Sequence, residues 1–254
     1  MSNSNLTDLP YGKVLLIVPC HNEELRIRVD AFVAETPAYV DILFANDGST
    51  DQTLKVLGKV IEKRPSFRVF SAPRNGGKAK VIQLAFLEAE RLDWLKSYDW
   101  IGFWDADLAT PLSEIENFLK YQKLFSPNSL ALFGCRLSRY GAKIERSTLR
   151  HYLSRIFVTF TDFLLGIKAY DSQCGAKLFH RSIARQAFGE SYISKWIFDL
   201  EIILRVGAEN VLEIPVFNWM EIPGSKMRIG RESFRVLNDI FKIRSHYLPS
   251  SKRK

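Results

Sequence analysis

Through its first 135 residues the chain alternates short apolar runs with amphipathic stretches, and each apolar run ends in a polar cluster. Residues 14–18 form an uncharged apolar run that stops at Pro19, the pattern of a buried strand. Runs at residues 40–45, 68–71, 100–104 and 130–134 also read as strands, the first two carrying Asp41 and Arg68. Between them the spacing predicts helices over residues 23–34 with Asn22 as cap, from Thr50 or Asp51 to about residue 64, and over residues 77–96. A further helix has Pro111 in its first turn. Strands alternating with helices imply an α/β fold: a Rossmann-like, mostly parallel sheet flanked by helices. In such sheets ligands sit beyond the carboxyl ends of the strands, which is where the polar clusters fall.

The second half is less regular. Residues 147–167 read as a helix with Leu149, Leu153, Ile156, Phe157, Phe160, Phe163, Leu164 and Ile167 near one face. Residues 176–180 and 211–216 read as strands, and residues 231–244 as a final helix. No linker divides the chain. Residues 13–245 are therefore expected to form a single domain between a loose polar tail (1–12) and a basic tail (246–254).

Charge narrows the function classes. Of the net +8, residues 226–254 contribute +7, with nine Lys/Arg against Glu232 and Asp239. A basic end on a near-neutral body suits an anionic partner: a diphosphate, a lipid headgroup or nucleic acid. Aromatics are not interleaved with basic residues along a strand as stacking platforms are, which argues against nucleic acid. No stretch reaches about 18 uncharged apolar residues, so no spanning helix is expected. The first residues do not read as a secretory signal. Cys20, Cys135 and Cys174 form neither an even framework nor a CxxC pair, and reduced thiols in a cytoplasmic protein are expected.

Four clusters can carry chemistry. Asp105-Ala106-Asp107 directly follows the run at 100–104. Two carboxylates at a buried strand end repel unless a cation or hydrogen bonds stabilise both charges, and Mg2+ or Mn2+ commonly bridges such acids to substrate phosphates. The string from Asn46 to Asp51 is a tight turn, and an acid there can accept a hydrogen bond from a base or a ribose hydroxyl. Pro19, Cys20, His21, Asn22 and Glu23 border the same crevice, with no partners at zinc-ligand spacing. Asn75-Gly76-Gly77-Lys78 opens a helix and can meet phosphate. Walker A spacing and a GxGxxG after the first strand are both lacking, which removes NTPase and dehydrogenase readings.

Taken in order, these strings resemble the family 2 inverting glycosyltransferases of GT-A type, in particular the branch acting on dolichyl and other polyprenyl phosphates. The matching strings are VPCHNEE (18–24), NDGSTD (46–51), NGGKAKVI (75–82), DADLATP (105–111), DSQCGAKLF (171–179) and NWMEIPGSKMR (218–228). The resemblance implies that Pro19, Asn22, Glu23, Asp47 and Asp51 border the donor nucleotide, with Lys78 and Ala106 beside it. Asp105 is expected on ribose or metal and Asp107 as the main metal ligand. Lys226 is expected on the diphosphate with Arg136 and Arg146 as partners, and Gln173 and Lys177 beside the sugar and acceptor. Mannosyl relatives carry a glutamine where this chain has Ala109. The string at 218–226 favours UDP-glucose as donor.

The expected reaction is transfer of a hexose to a polyprenyl phosphate by a protein lying peripherally on the cytoplasmic face of a membrane. Arg146, Arg150 and Arg155 beside the apolar stripe of 147–167 suit a membrane interface. A sugar hydroxyl as acceptor needs a general base instead, and Asp199 and Glu201 are the candidates. A nucleotidyltransferase is the competing enzyme class. Nothing in the sequence sets an oligomeric state.

Overall fold

The computed structural model describes residues 11–221 and 231–248. Strands β1 (Val14–Cys20), β2 (Val40–Asp47), β3 (Arg68–Ala72) and β4 (Trp100–Trp104) alternate with helices α1 (Val29–Glu35), α2 (Thr53–Lys63) and α3 (Lys78–Arg91). Then come α4 (Glu114–Phe125), β5 (Ala131–Cys135), β6 (Lys143–Glu145), α5 (Thr148–Leu165), β7 (Ala176–His180) and α6 (Arg181–Phe188). The chain continues through α7 (Phe198–Val206), β8 (Val211–Pro215), β9 (Asn218–Met220) and α8 (Arg231–Tyr247).

Seven strands form one sheet in the order β3-β2-β1-β4-β7-β5-β8, and β6 pairs with β9 separately. All pairings in the large sheet are parallel except those of β7, which runs antiparallel to both β4 and β5. Side chains alternate across the sheet with period two. In β1, Leu15 and Ile17 enter the core under α3 and α6, while Val14, Leu16 and Val18 enter the opposite core beside α2 and α4. Both faces are covered, which is why the strands read as continuous apolar runs. Strand order reverses at β1, whose neighbours are β2 and β4, and this switch point opens a crevice at the carboxyl ends of all three.

Several elements differ from expectation. The helix expected from residue 23 begins at Val29, because Asn22 adopts φ 52° and the Arg26 and Ile27 N–H groups close a turn on the Glu23 carbonyl. The helix expected over 77–96 stops at Arg91, and Asp93, at φ 59°, leads into a short 3-10 turn. The apolar arc of α5 is wider than one core can cover. Val158, Thr161 and Leu165 are buried, whereas Tyr152, Ile156 and Phe163 lie outside, Phe163 at 84% exposure. The pairing of β6 with β9 carried no sequence signal.

Candidate active site

Three strand ends and the opening of α3 converge on one cleft. The loops after β1 and β2 tie each other in place. The Asn22 N–H donates to Ser49 Oγ at 3.0 Å, Glu23 N–H to Thr53 Oγ1 at 2.8 Å, and Glu24 N–H to Asp51 Oδ2 at 3.2 Å. In return Thr50 N–H donates to Asn22 Oδ1 at 2.9 Å. Asn22 and Asp51 are thus occupied in joining two loops, and neither lines the cleft. Hydrogen bonds from Thr53 and Glu24 outweigh desolvation and hold the Asp51 carboxyl below its usual range.

Asp47, at the end of β2, accepts the Gly76 N–H on Oδ1 and the Gly77 N–H on Oδ2, both at 2.8 Å. Gly77 stands at φ 91°, a conformation costly for a side-chain-bearing residue, and the turn it permits aims both amides at Asp47 as α3 begins. His21 Nδ1 donates to the Asp47 carbonyl at 2.9 Å. A carboxylate has about four lone-pair sites, so Asp47 keeps acceptor capacity for a ligand.

Beyond β4, the Asp105 N–H donates to the Gly175 carbonyl at 2.9 Å, and Leu108 turns the chain at φ 53°. The two carboxylates behave differently. Asp105 Oδ1 accepts from Lys78 Nζ at 2.6 Å, with about a third of the lysine side chain exposed (34%). Asp107 Oδ1 accepts the Ala109 N–H at 3.0 Å. Burial, then the Asp105 charge, holds the Asp107 carboxyl above its usual range. Burial opposes the charge on Lys78, but Asp105, Asp199 and Asp107 together outweigh it and raise the ammonium's pKa. Pro19, His21, Glu23, Arg26, Asp47, Lys78, Asp105, Ala106 and Asp107 line a cavity of about 210 Å3. His21 was expected beside this crevice from the sequence, whereas Arg26 was not. Arg26 is legible only as the i+3 partner of Glu23, 3.4 Å away.

The donor set fits a hard divalent cation. Two carboxylates project from one turn, and a cation there would offset the burial and the Asp105 charge that together raise Asp107. Among the described residues no three His, Cys, Asp or Glu side chains are grouped so as to hold a metal ion by themselves, so further ligands would be phosphate oxygens and water, the usual arrangement for such ions.

The second half keeps its charges to itself. Arg136 grips Asp171 with two parallel bonds, Nε to Oδ2 at 2.6 Å and Nη2 to Oδ1 at 2.7 Å. Arg146 lies near enough for its charge to help depress Asp171. Lys177 is fully buried, with Nζ 2.7 Å from Asp199 Oδ1 and donating to the Cys174 carbonyl at 2.5 Å. Asp199 Oδ1 is off hydrogen-bond alignment with any donor among the described residues, so the contact is one of charge. Lys177, expected beside the acceptor, therefore has no surface on which to meet one. Glu201 accepts the Ile193 and Ser194 N–H groups at 2.9 and 2.8 Å and is fully buried. Asp199 and Glu201, the candidate bases for a sugar-hydroxyl acceptor, are both buried and engaged by protein groups. Gln173 Nε2 is buried with no hydrogen-bond partner among the described residues. Lys226 lies outside the described residues.

The family model described as Glycosyl transferase family 2 matches residues 15–188. The chain belongs to glycosyl transferase family 2. Curated family members include the dolichyl-phosphate beta-glucosyltransferase of Dictyostelium discoideum, 33% identical over 98% of this chain and 78% of that enzyme. One from Trichomonas vaginalis is 34% identical over 84% of this chain and 66% of its own length. The human enzyme of the same name is 30% identical over 98% of the chain and 80% of its own length. Among solved structures, Mycobacterium tuberculosis glucosyl-3-phosphoglycerate synthase in complex with Mn2+, UDP and its product matches at TM-score 0.64 and 17% identity, over 99% of this chain and 87% of that one. At that identity the likeness carries the fold, which is the GT-A glycosyltransferase fold expected from the sequence. In this family 2 glycosyltransferase the acidic pair stands at the end of β4, the strand beside the switch point.

Proposed function

We propose that the protein transfers glucose, with inversion, from UDP-glucose to a dolichyl-type polyprenyl phosphate, using Mg2+ or Mn2+. The observation that carries this reading is the cleft itself: Asp105, Asp107, Asp47 and Lys78 meet in one cavity at the sheet's switch point. The relatives' names supply the substrate class.

In this reading Pro19, Glu23 and Asp47 border the nucleoside, and Asp105 and Asp107 hold the cation. When bound, the cation supplies Lewis-acid stabilisation to the departing diphosphate. Lys78 adds a positive charge on the same side, where leaving-group charge grows toward the transition state. A phosphate acceptor is already anionic near neutral pH, since its second pKa is about 6, and so needs no strong base. The internal commitment of Asp199 and Glu201 favours this acceptor over a sugar hydroxyl. Arg136 and Arg146, gathered around Asp171, are the acceptor-side cations of the proposal.

The acceptor tail calls for a membrane surface. On α5, Tyr152, Ile156 and Phe163 are exposed along one stripe, with Leu237 and Phe241 exposed on α8. Among the described residues no helix is long and apolar enough to cross a membrane. We therefore place the protein peripherally, through this face, on the cytoplasmic side suggested by its three unpaired, buried cysteines.

Labelled UDP-glucose with a prenyl phosphate tests the reaction: release of UDP with a glucosylated lipid supports it, and release of glucose 1-phosphate with a uridylylated lipid indicates a nucleotidyltransferase. Asp107→Ala should lower transfer by about a hundred- to a thousandfold, the scale of losing a principal electrostatic contact, with the fold intact. Normal turnover by that variant in the presence of metal would remove the acidic pair from the mechanism.

A further inference from the structure

We propose that Lys78 makes cation uptake conditional on the nucleotide, by acting as the resident counter-ion of Asp105 until a donor diphosphate arrives. The inference rests on the reading of Asp105 and Asp107 as cation ligands.

Lys78 is not a loose surface lysine. Its ammonium donates to Asp105 Oδ1 at 2.6 Å, and lies 5.1 Å from the ring centre of Phe103 and 6.0 Å from that of Phe198. Two aromatic faces and a carboxylate therefore hold the charge beside the acidic pair. Such contacts strengthen when partly desolvated. Of the other carboxylates whose field reaches Lys78, Asp199 already has a buried lysine 2.7 Å away.

The charge balance decides the consequence. Lys78 offsets one of the two charges of the Asp105–Asp107 pair and leaves that pair with a net single negative charge. A divalent ion entering alone meets two protein oxygens, one shared with an ammonium that repels it across a half-buried cleft where charges are weakly screened. A diphosphate entering with the ion adds enough negative charge to accommodate both cations. It also gives the Lys78 ammonium a second anion to contact. Cation and nucleotide then favour each other, and by linkage the effect is equal in both directions. A lysine that merely assisted phosphate binding would predict no effect on the metal alone: removing it would leave bare cation affinity unchanged.

Manganese titrations followed by the electron paramagnetic resonance of the free ion, with and without UDP, test this on the full chain. For the wild type, UDP should raise manganese affinity on the order of tenfold, within the usual range of such couplings. Lys78→Met should bind manganese alone several-fold more tightly than the wild type, and should lose most of the gain from UDP. Lys78→Arg, which keeps the charge, should behave like the wild type. If Lys78→Met unfolds, Lys78→Gln provides the same readout. Unchanged or weaker manganese binding by the neutral variants, with UDP coupling intact, overturns the inference while leaving the cation site standing. Absence of any manganese binding to the wild type with UDP overturns both.

Discussion

Two lysine–aspartate pairs of nearly the same length flank the ring of Phe103. In the cleft, Lys78 meets Asp105 at 2.6 Å with its ammonium 5.1 Å from the ring centre. In the core, Lys177 meets Asp199 at 2.7 Å, 5.2 Å from the same ring. Both are ammonium–carboxylate ion pairs, though only the first is also a hydrogen bond, and their surroundings differ. About a third of Lys78 and 40% of the Asp105 side chain reach solvent, whereas the Lys177 side chain has no exposure and Asp199 only 6%. The exposed pair can exchange partners when a ligand arrives. The buried pair cannot, because its ions have no water to return to. It also supports the site from below. Lys177 holds the Cys174 carbonyl, and the next residue, Gly175, accepts the Asp105 N–H. One pair is thus available for chemistry and the other fixes the floor beneath it.

Removing one lysine from each pair should separate the two roles most sharply. Lys177→Met strands Asp199 as an uncompensated buried charge, a change that typically destabilises by about 3–5 kcal/mol. Lys78→Met breaks a partly exposed pair and should cost roughly 0–1 kcal/mol. Urea denaturation of both variants checks this. A double change of Lys177 to Met and Asp199 to Leu should recover much of the lost stability, because no lone ion remains. Equal losses for the two single variants would mean that burial does not distinguish the pairs.

Gly175 offers a smaller and more local test of the floor. A methyl group on this residue would overlap the Asp105 carboxylate, and its backbone is not in the left-handed region. Alanine there should leave the fold intact and displace one carboxylate. Gly175→Ala is expected to weaken manganese-dependent UDP binding about tenfold, within the range for disturbed ligand-supporting contacts. Calorimetric titration with and without manganese reads this. An equal loss of manganese-independent UDP binding would show that the whole cleft had shifted, not Asp105 alone.

The same contrast explains what could be read beforehand. The acidic pair, the turn at Asn46 to Asp51 and the strands bearing them were legible, because apolar runs ending in polar clusters report strand ends directly. Strands β4 and β7 fell at the residues expected. The fate of Lys177, Asp199 and Glu201 was not legible, since nothing local distinguishes a strand lysine facing solvent from one facing an aspartate on a helix packed against the sheet. Their partners come from elements folded against them. The late start of α1 has a similar origin. Its expected first amides donate to Ser49, Thr53 and Asp51, about 30 residues away in sequence. On α5 the apolar residues were visible, but which of them face the core depends on α8 and the sheet.

Acid titration gives the finest comparison, because Asp107 lies on the exposed side of it yet is partly buried. Burial and the neighbouring Asp105 charge raise its carboxyl above the ordinary value of 3.8. A carboxyl raised in the fold takes up its proton before the unfolded chain does, so protonation of Asp107 stabilises the metal-free protein as pH falls through the raised value. The same proton removes a ligand oxygen from the cation. Manganese-linked UDP affinity should therefore fall in a pH window above 3.8, while metal-free stability gains relative to Asp107→Asn over that window. Asp105→Asn removes the repelling charge, and should shift the midpoint of the affinity loss to lower pH even though binding is weaker throughout. A midpoint that stays in place would assign the raised carboxyl to burial alone, and the two acids would then bind a cation without sensing each other.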